Sequence, residues 1–139
     1  MLSQHQKAPR GRSVARGVVF AACLLAASPP TLAQQASLEG TWSGGGTVIL
    51  PSGDRERARC RVTFRRVGNG FGMNANCATS STRVAQTAEL SRISATRFSG
   101  QFYNAEYSIS GSIVISVQGN HLSASLNGGG GSAYFNLSR

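Results

Sequence analysis

The last third of the chain alternates apolar and polar residues with a period of two, and this pattern restricts the fold more than any other feature. Tyr107, Ile109, Gly111, Ile113, Ile115 and Val117 share one parity, while Ser108, Ser110, Ser112, Ser116 and Gln118 take the other. Leu122, Ala124 and Leu126 alternate with Ser123, Ser125 and Asn127; Ala133, Phe135 and Leu137 alternate with Ser132, Tyr134, Asn136 and Ser138. Successive side chains of a strand point to opposite faces, so such segments suit strands with one buried face. Weaker alternation of the same kind, without helix start or stop signals, runs back to about residue 41.

The turns between these runs test the register. In a two-residue hairpin, opposed residues share a face and their numbers have a constant sum. A turn at Gly119-Asn120 sets Val117 against Leu122, Ile115 against Ala124 and Ile113 against Leu126. A turn at Gly129-Gly130 sets Leu126 against Ala133 and Ala124 against Phe135. A turn at Ser80-Ser81 sets Cys77 against Val84, Met73 against Ala88 and Phe71 against Leu90. A turn at Asn104-Ala105 sets Phe102 against Tyr107 and Gly100 against Ile109. Each turn brings apolar sets together, and a slip of one residue would put them in water.

Val67-Gly68-Asn69-Gly70 offers two hairpin loops. With Gly68-Asn69 as the loop, Cys60 faces Cys77 and Phe64 faces Met73; with Asn69-Gly70, the cysteines are diagonal. Only the direct pair brings the Cβ atoms to disulfide distance, so a Cys60–Cys77 bond predicts the first loop. Eight antiparallel strands result, near 41–50, 57–67, 70–79, 82–92, 97–103, 106–118, 121–127 and 132–138. The expected fold is all-β, an up-and-down meander closing into a small barrel, with a β-sandwich as the alternative. A small outer-membrane barrel would alternate likewise with its faces exchanged. Against it stand small residues on the apolar face, no aromatic girdles, and several strands shorter than the roughly 9–11 residues needed to cross.

The first 33 residues have the form of a secretory signal peptide, leaving 34–139 as a single domain. Lys7, Arg10, Arg12 and Arg16 make a basic leader, Gly17 to Ala27 an apolar run, and Thr31-Leu32-Ala33 a small-residue cleavage site. The run is too short for a membrane-spanning helix, and no second one follows. The expected location is therefore exported, periplasmic or secreted. Removing the leader changes the charge: +9 for the whole chain becomes +5, ten arginines against five acids and no lysine. At 40% hydrophobic and 14% charged, the chain is not a disordered basic tail.

Cys23 departs with the leader, and an even pair remains, as an exported disulfide requires. No metal site is expected: His121 is the one histidine of 34–139, and no CxxC occurs. No cofactor is expected either, because neither Gly44-Gly45-Gly46 nor Gly128 to Gly131 leads into GK[ST] or a helix. Asp54, Glu106 and His121 are scattered along the meander, so no catalytic set is assigned and an enzyme is not expected.

The unusual surface is a row of arginines. Arg55, Arg57, Arg59, Arg61 and Arg65 share one parity, opposite to Cys60, Val62 and Phe64. At about 7 Å spacing they form a stripe able to grip carboxylate, phosphate or sulfate bidentately. The competing expectation is a solvated strand face, screened by Asp54, Glu56 and acids on neighbouring strands. Nucleic acid is not expected as a partner: export argues against it, and no aromatics interleave the arginines. Trp42, in the first strand, suits either a plug at one barrel end or the lining of a ligand mouth.

The pattern Gly40-x-Trp42-Ser43-Gly44-x-Gly46-x-Val48, with Cys60, Asn76-Cys77-Ala78 and Tyr107-Ser108-x-x-Gly111-Ser112, resembles small exported alphaproteobacterial proteins. That resemblance spans nearly all of 34–139 and implies compartment and fold, not activity. A weaker likeness is to periplasmic metalloprotease-inhibitor barrels, through the length, the single disulfide and a Trp in the first strand. It implies an N-terminal segment, here Gln34 to Leu38, that enters a protease cleft; the second Trp of that family is missing. The leading functional expectation is a non-enzymatic binding or envelope-associated module. Its partner would be lipopolysaccharide, acidic polysaccharide or an acidic protein at the stripe, or a small apolar ligand in the barrel.

Overall fold

The computed structural model describes residues 11, 13, 15, 17–19, 21–29 and 35–139. The leader's basic residues, Phe20, the Thr31-Leu32-Ala33 site and Gln34 lie outside the described residues. Among the described residues before Gln35 none is in a helix or strand, and Val18, Val19, Leu24 and Leu25 are exposed. The chain divides into two units, Met1–Thr31 and Leu32–Arg139, and every strand described lies in the second.

Eight strands follow in chain order: β1 Gly40–Ile49, β2 Arg55–Val67, β3 Gly70–Ala78, β4 Arg83–Arg92, β5 Arg97–Asn104, β6 Ile109–Gln118, β7 His121–Gly128 and β8 Gly131–Ser138. Each pairs antiparallel with the next, and β8 returns to β1, closing the barrel. Closure satisfies the backbone groups of both edge strands, so no sheet edge is left to aggregate. The apolar parity turns inward and the polar parity outward, the reverse of a lipid-facing barrel. No helix among the described residues is long and apolar enough to cross a membrane.

Four of the five registers read from the turns are those observed. Cys60 faces Cys77 with Gly68-Asn69 as the loop, and the two form the disulfide. Cys77 faces Val84, Val117 faces Leu122, and Leu126 faces Ala133.

The β5–β6 hairpin differs. Phe102 lies against Gly111 and Asn104 against Ile109, so the loop is residues 105–108 and β6 starts three residues later than expected. Tyr107, expected on the inner face, sits in the turn and is 48% exposed. Two effects set the wider loop. The Asn104 Oδ1 accepts the Tyr107 N–H at 3.1 Å, which shapes the turn around a buried amide. The large Phe102 ring also needs the space left by glycine: a Cβ on Gly128 would lie 3.0 Å from its tip.

The core fills the lumen, with Phe64, Phe71, Phe98, Ile113, Ile115 and Val117 among its buried residues. Two inward glycines let the sheet coil around this small core. A Cβ on Gly100 would stand 1.7 Å from the Glu89 carbonyl oxygen, and one on Gly46 2.0 Å from that of Tyr134. Glycine at such points relieves a close approach that any other residue would block.

Candidate functional site

The longest strand, β2, carries the arginine row because its alternation is strict from Arg55 to Phe64. Ala58, Cys60, Val62 and Phe64 are buried, which forces Arg55, Arg57, Arg59, Arg61 and Arg65 outward; all five are exposed. From Arg55 to Arg65 the row spans about 33 Å.

Register places the neighbours of this row. On β1, Ile49, Thr47, Gly45 and Ser43 face Arg55, Arg57, Arg59 and Arg61. On β3, Ala78, Asn76 and Gly72 face Arg59, Arg61 and Arg65. The adjoining strands thus present no acid to the row, and the screening expected from neighbouring strands is not found at these positions. The two acids at the start of β2 are turned to loop hydroxyls. Asp54 accepts the Ser52 hydroxyl at 2.9 Å, and Glu56 accepts that of Ser81 at 3.3 Å. The five side chains are exposed and make none of the side-chain hydrogen bonds found among the described residues, and a guanidinium group can meet an anion bidentately.

Arg83 extends the patch, and the strand-by-strand reading missed it. Ala78 lies between Arg59 on one side and Arg83 on the other, and an outer hollow is lined by Arg59, Arg61, Arg83, Asn76 and Glu106. Its position was legible: the Cys60–Cys77 and Cys77–Val84 pairings together put Arg83 two strands across from Arg59.

The barrel ends differ. At the end where β1 begins, Trp42 is 0% exposed, and its Nε1–H donates to the Leu38 carbonyl at 2.9 Å. Leu38, also 0% exposed, fills the lumen beside it. Three arginines roof this end, each over a ring: Arg139 4.2 Å from the centre of Trp42, Arg92 4.6 Å from Phe98 and Arg66 5.6 Å from Phe71. Arg139 donates to the Glu39 carbonyl at 2.8 Å, and Arg92 to that of Ala36 at 2.9 Å. Trp42 therefore lies in a plug and not at an open mouth. Gln35 to Leu38, most of the segment matched to an inhibitor arm, is held across the same end, with the Ala36 N–H donating to Ala95 at 3.0 Å. Arg66, next to Arg65 but of the opposite parity, lies over Phe71 and is not part of the row.

At the opposite end the inward residues Val48, Gln86, Ile109 and Ala133 are only half-buried, and the lumen opens outward. No group of metal-ligating residues occurs among the described residues.

No protein-family model and no curated protein matches the sequence. Solved structures of designed barrels do match the fold. A redesigned β-barrel, mFAP1, bound to DFHBI, aligns with TM-score 0.61 at 14% identity over 73% of this chain and 94% of its own. Another redesigned β-barrel gives TM-score 0.59 at 10% identity, covering 73% and 90%. A de novo fluorescence-activating β-barrel gives 0.56 at 12%, covering 73% and 92%. At these identities the likeness establishes one thing, that this chain shares the architecture of a small closed antiparallel barrel.

Proposed function

We propose that the protein is an exported, non-enzymatic binding module that engages an anionic envelope component, lipopolysaccharide or acidic polysaccharide, along the outer face of β2. One observation carries this reading: five exposed arginines in a single row with no acidic residue at any paired position on either flanking strand. A row meant only to keep a strand soluble needs no such isolation, since mixed charge serves solubility equally well. A linear polyanion matches a linear row, and Arg83 widens the grip on one side. The signal-peptide pattern and the disulfide suit an oxidising compartment in which such polymers occur. The inhibitor alternative is not carried forward, because Leu38 is committed to the barrel plug.

The test is binding to immobilised heparin and to lipopolysaccharide as salt is raised. The row should hold the protein at low ionic strength and release it as screening sets in. Replacing Arg57, Arg59 and Arg61 together by Ser should remove retention while circular dichroism stays unchanged. Retention equal to that of the parent protein would refute the proposal.

A further inference from the structure

The arginine row leaves the inside of the barrel without a role, and the lumen has an unusual construction. Val48, Gln86, Phe102, Ile109, Leu126 and Ala133 come from six different strands yet line one cavity of about 140 Å³. Residues so placed around a closed barrel can share a cavity only within the lumen. The far end is sealed by Leu38 and Trp42, so the cavity opens away from the plug. Its rim is formed by Pro51 and by the glycines of the β7–β8 turn, which carry no side chain across the opening.

Gln86 is the anomaly. The β4 inner row before Arg92 is otherwise Val84, Ala88 and Leu90, and apart from Gln86 and Ser132 at the rim the side chains of this cup are apolar. Gln86 is half-buried, and its amide takes part in none of the side-chain hydrogen bonds found among the described residues. It also borders a second, deeper void of about 30 Å³, lined otherwise by apolar residues and the disulfide. No buried side-chain N or O atom lacks a partner among the described residues, so the amide is reached by solvent through the open end, and a ligand hydroxyl or amide entering there can take the place of that water. An alanine, as used at 75 and 88, would have filled the position without a polar group.

We infer that the open end of the barrel is a binding cup for a small aromatic or apolar molecule bearing one hydroxyl or amide group, which Gln86 meets. The size fits: an apolar cavity of about 150 Å³ accepts benzene. Mostly apolar walls with one polar group that fixes orientation are the usual make-up of a small-molecule site. The cup is inside and the arginine row outside, so neither proposal depends on the other.

Phenol and benzene are the probes, having one shape and differing by one hydroxyl. The isotope-labelled full chain is titrated with each and followed by amide chemical shifts. Phenol should give saturable shifts at the Gln86 side-chain amide and around Val48, Ile109 and Ala133, with a dissociation constant in the millimolar range or tighter. Gln86→Leu should weaken phenol about tenfold and leave benzene unchanged, the effect of one lost hydrogen bond. Ala133→Phe should fill the cup and abolish both. If no saturable shifts arise, if they map to the outer face, or if Gln86→Leu weakens phenol and benzene alike, the assignment fails. Gln86→Leu adds no bulk, so the test stands even where Ala133→Phe does not fold.

Discussion

Trp42 shows how much one side chain can decide in so small a barrel. Its ring fills the lumen, its Nε1–H satisfies the Leu38 carbonyl, and its face takes the Arg139 guanidinium. The first contribution is burial, worth several kcal/mol, and it outweighs the other two. Trp42→Ala should therefore lower unfolding stability by about 3–5 kcal/mol. Trp42→Phe, which keeps most of the ring but leaves the Leu38 carbonyl unpaired, should lose about 1–3 kcal/mol. Urea denaturation followed by circular dichroism separates the two; equal losses would mean that the hydrogen bond, not the ring, holds the plug. The sequence offered two places for this residue, plug or mouth. What decided between them was Leu38, whose entry into the lumen no local pattern announces.

Hairpins are the elements on which the register rests, and their legibility depended on which interactions were local. Where a two-residue loop joins strict alternation, pairing follows from parity and loop position, as at Gly119-Asn120, or from these with the cysteine pair, as at Gly68-Asn69. The β5–β6 hairpin escaped because its loop is shaped by the Asn104 side chain, and because Phe102 needs glycine two strands over, at Gly128. Steric demand between non-adjacent strands leaves no mark in either strand's own periodicity. The β2–β3 hairpin is also stapled by Cys60 and Cys77, 17 residues apart. Reduction should lower stability by on the order of 3 kcal/mol through the freed loop of the unfolded chain. Denaturant midpoints with and without reductant measure it. An unchanged midpoint would mean that closure of the barrel alone holds this hairpin in register.

At the level of the whole molecule, the barrel is asymmetric along its axis: one end roofed by Arg–aromatic stacks and the segment before β1, the other open over Gln86. That segment is structural on this reading. Deleting residues 34–38 should lower the melting temperature markedly, because it removes a fully buried leucine, itself worth about 2–5 kcal/mol, and exposes Trp42. A thermal scan of the deletion variant checks this; an unaltered melting temperature would mark the segment as a free arm and revive the inhibitor alternative.

The sequence by itself determined the strand count, the inward and outward parity, four hairpin registers, the disulfide and the outward row of arginines. All of these follow from period-two geometry and short-loop closure, which act between residues near in the chain or joined by one turn. Tertiary structure alone decided the plug, the open cup and the position of Gln86 within it. Each of these depends on closing β8 onto β1, which sets residues from distant strands around one lumen, and that juxtaposition has no counterpart in local periodicity.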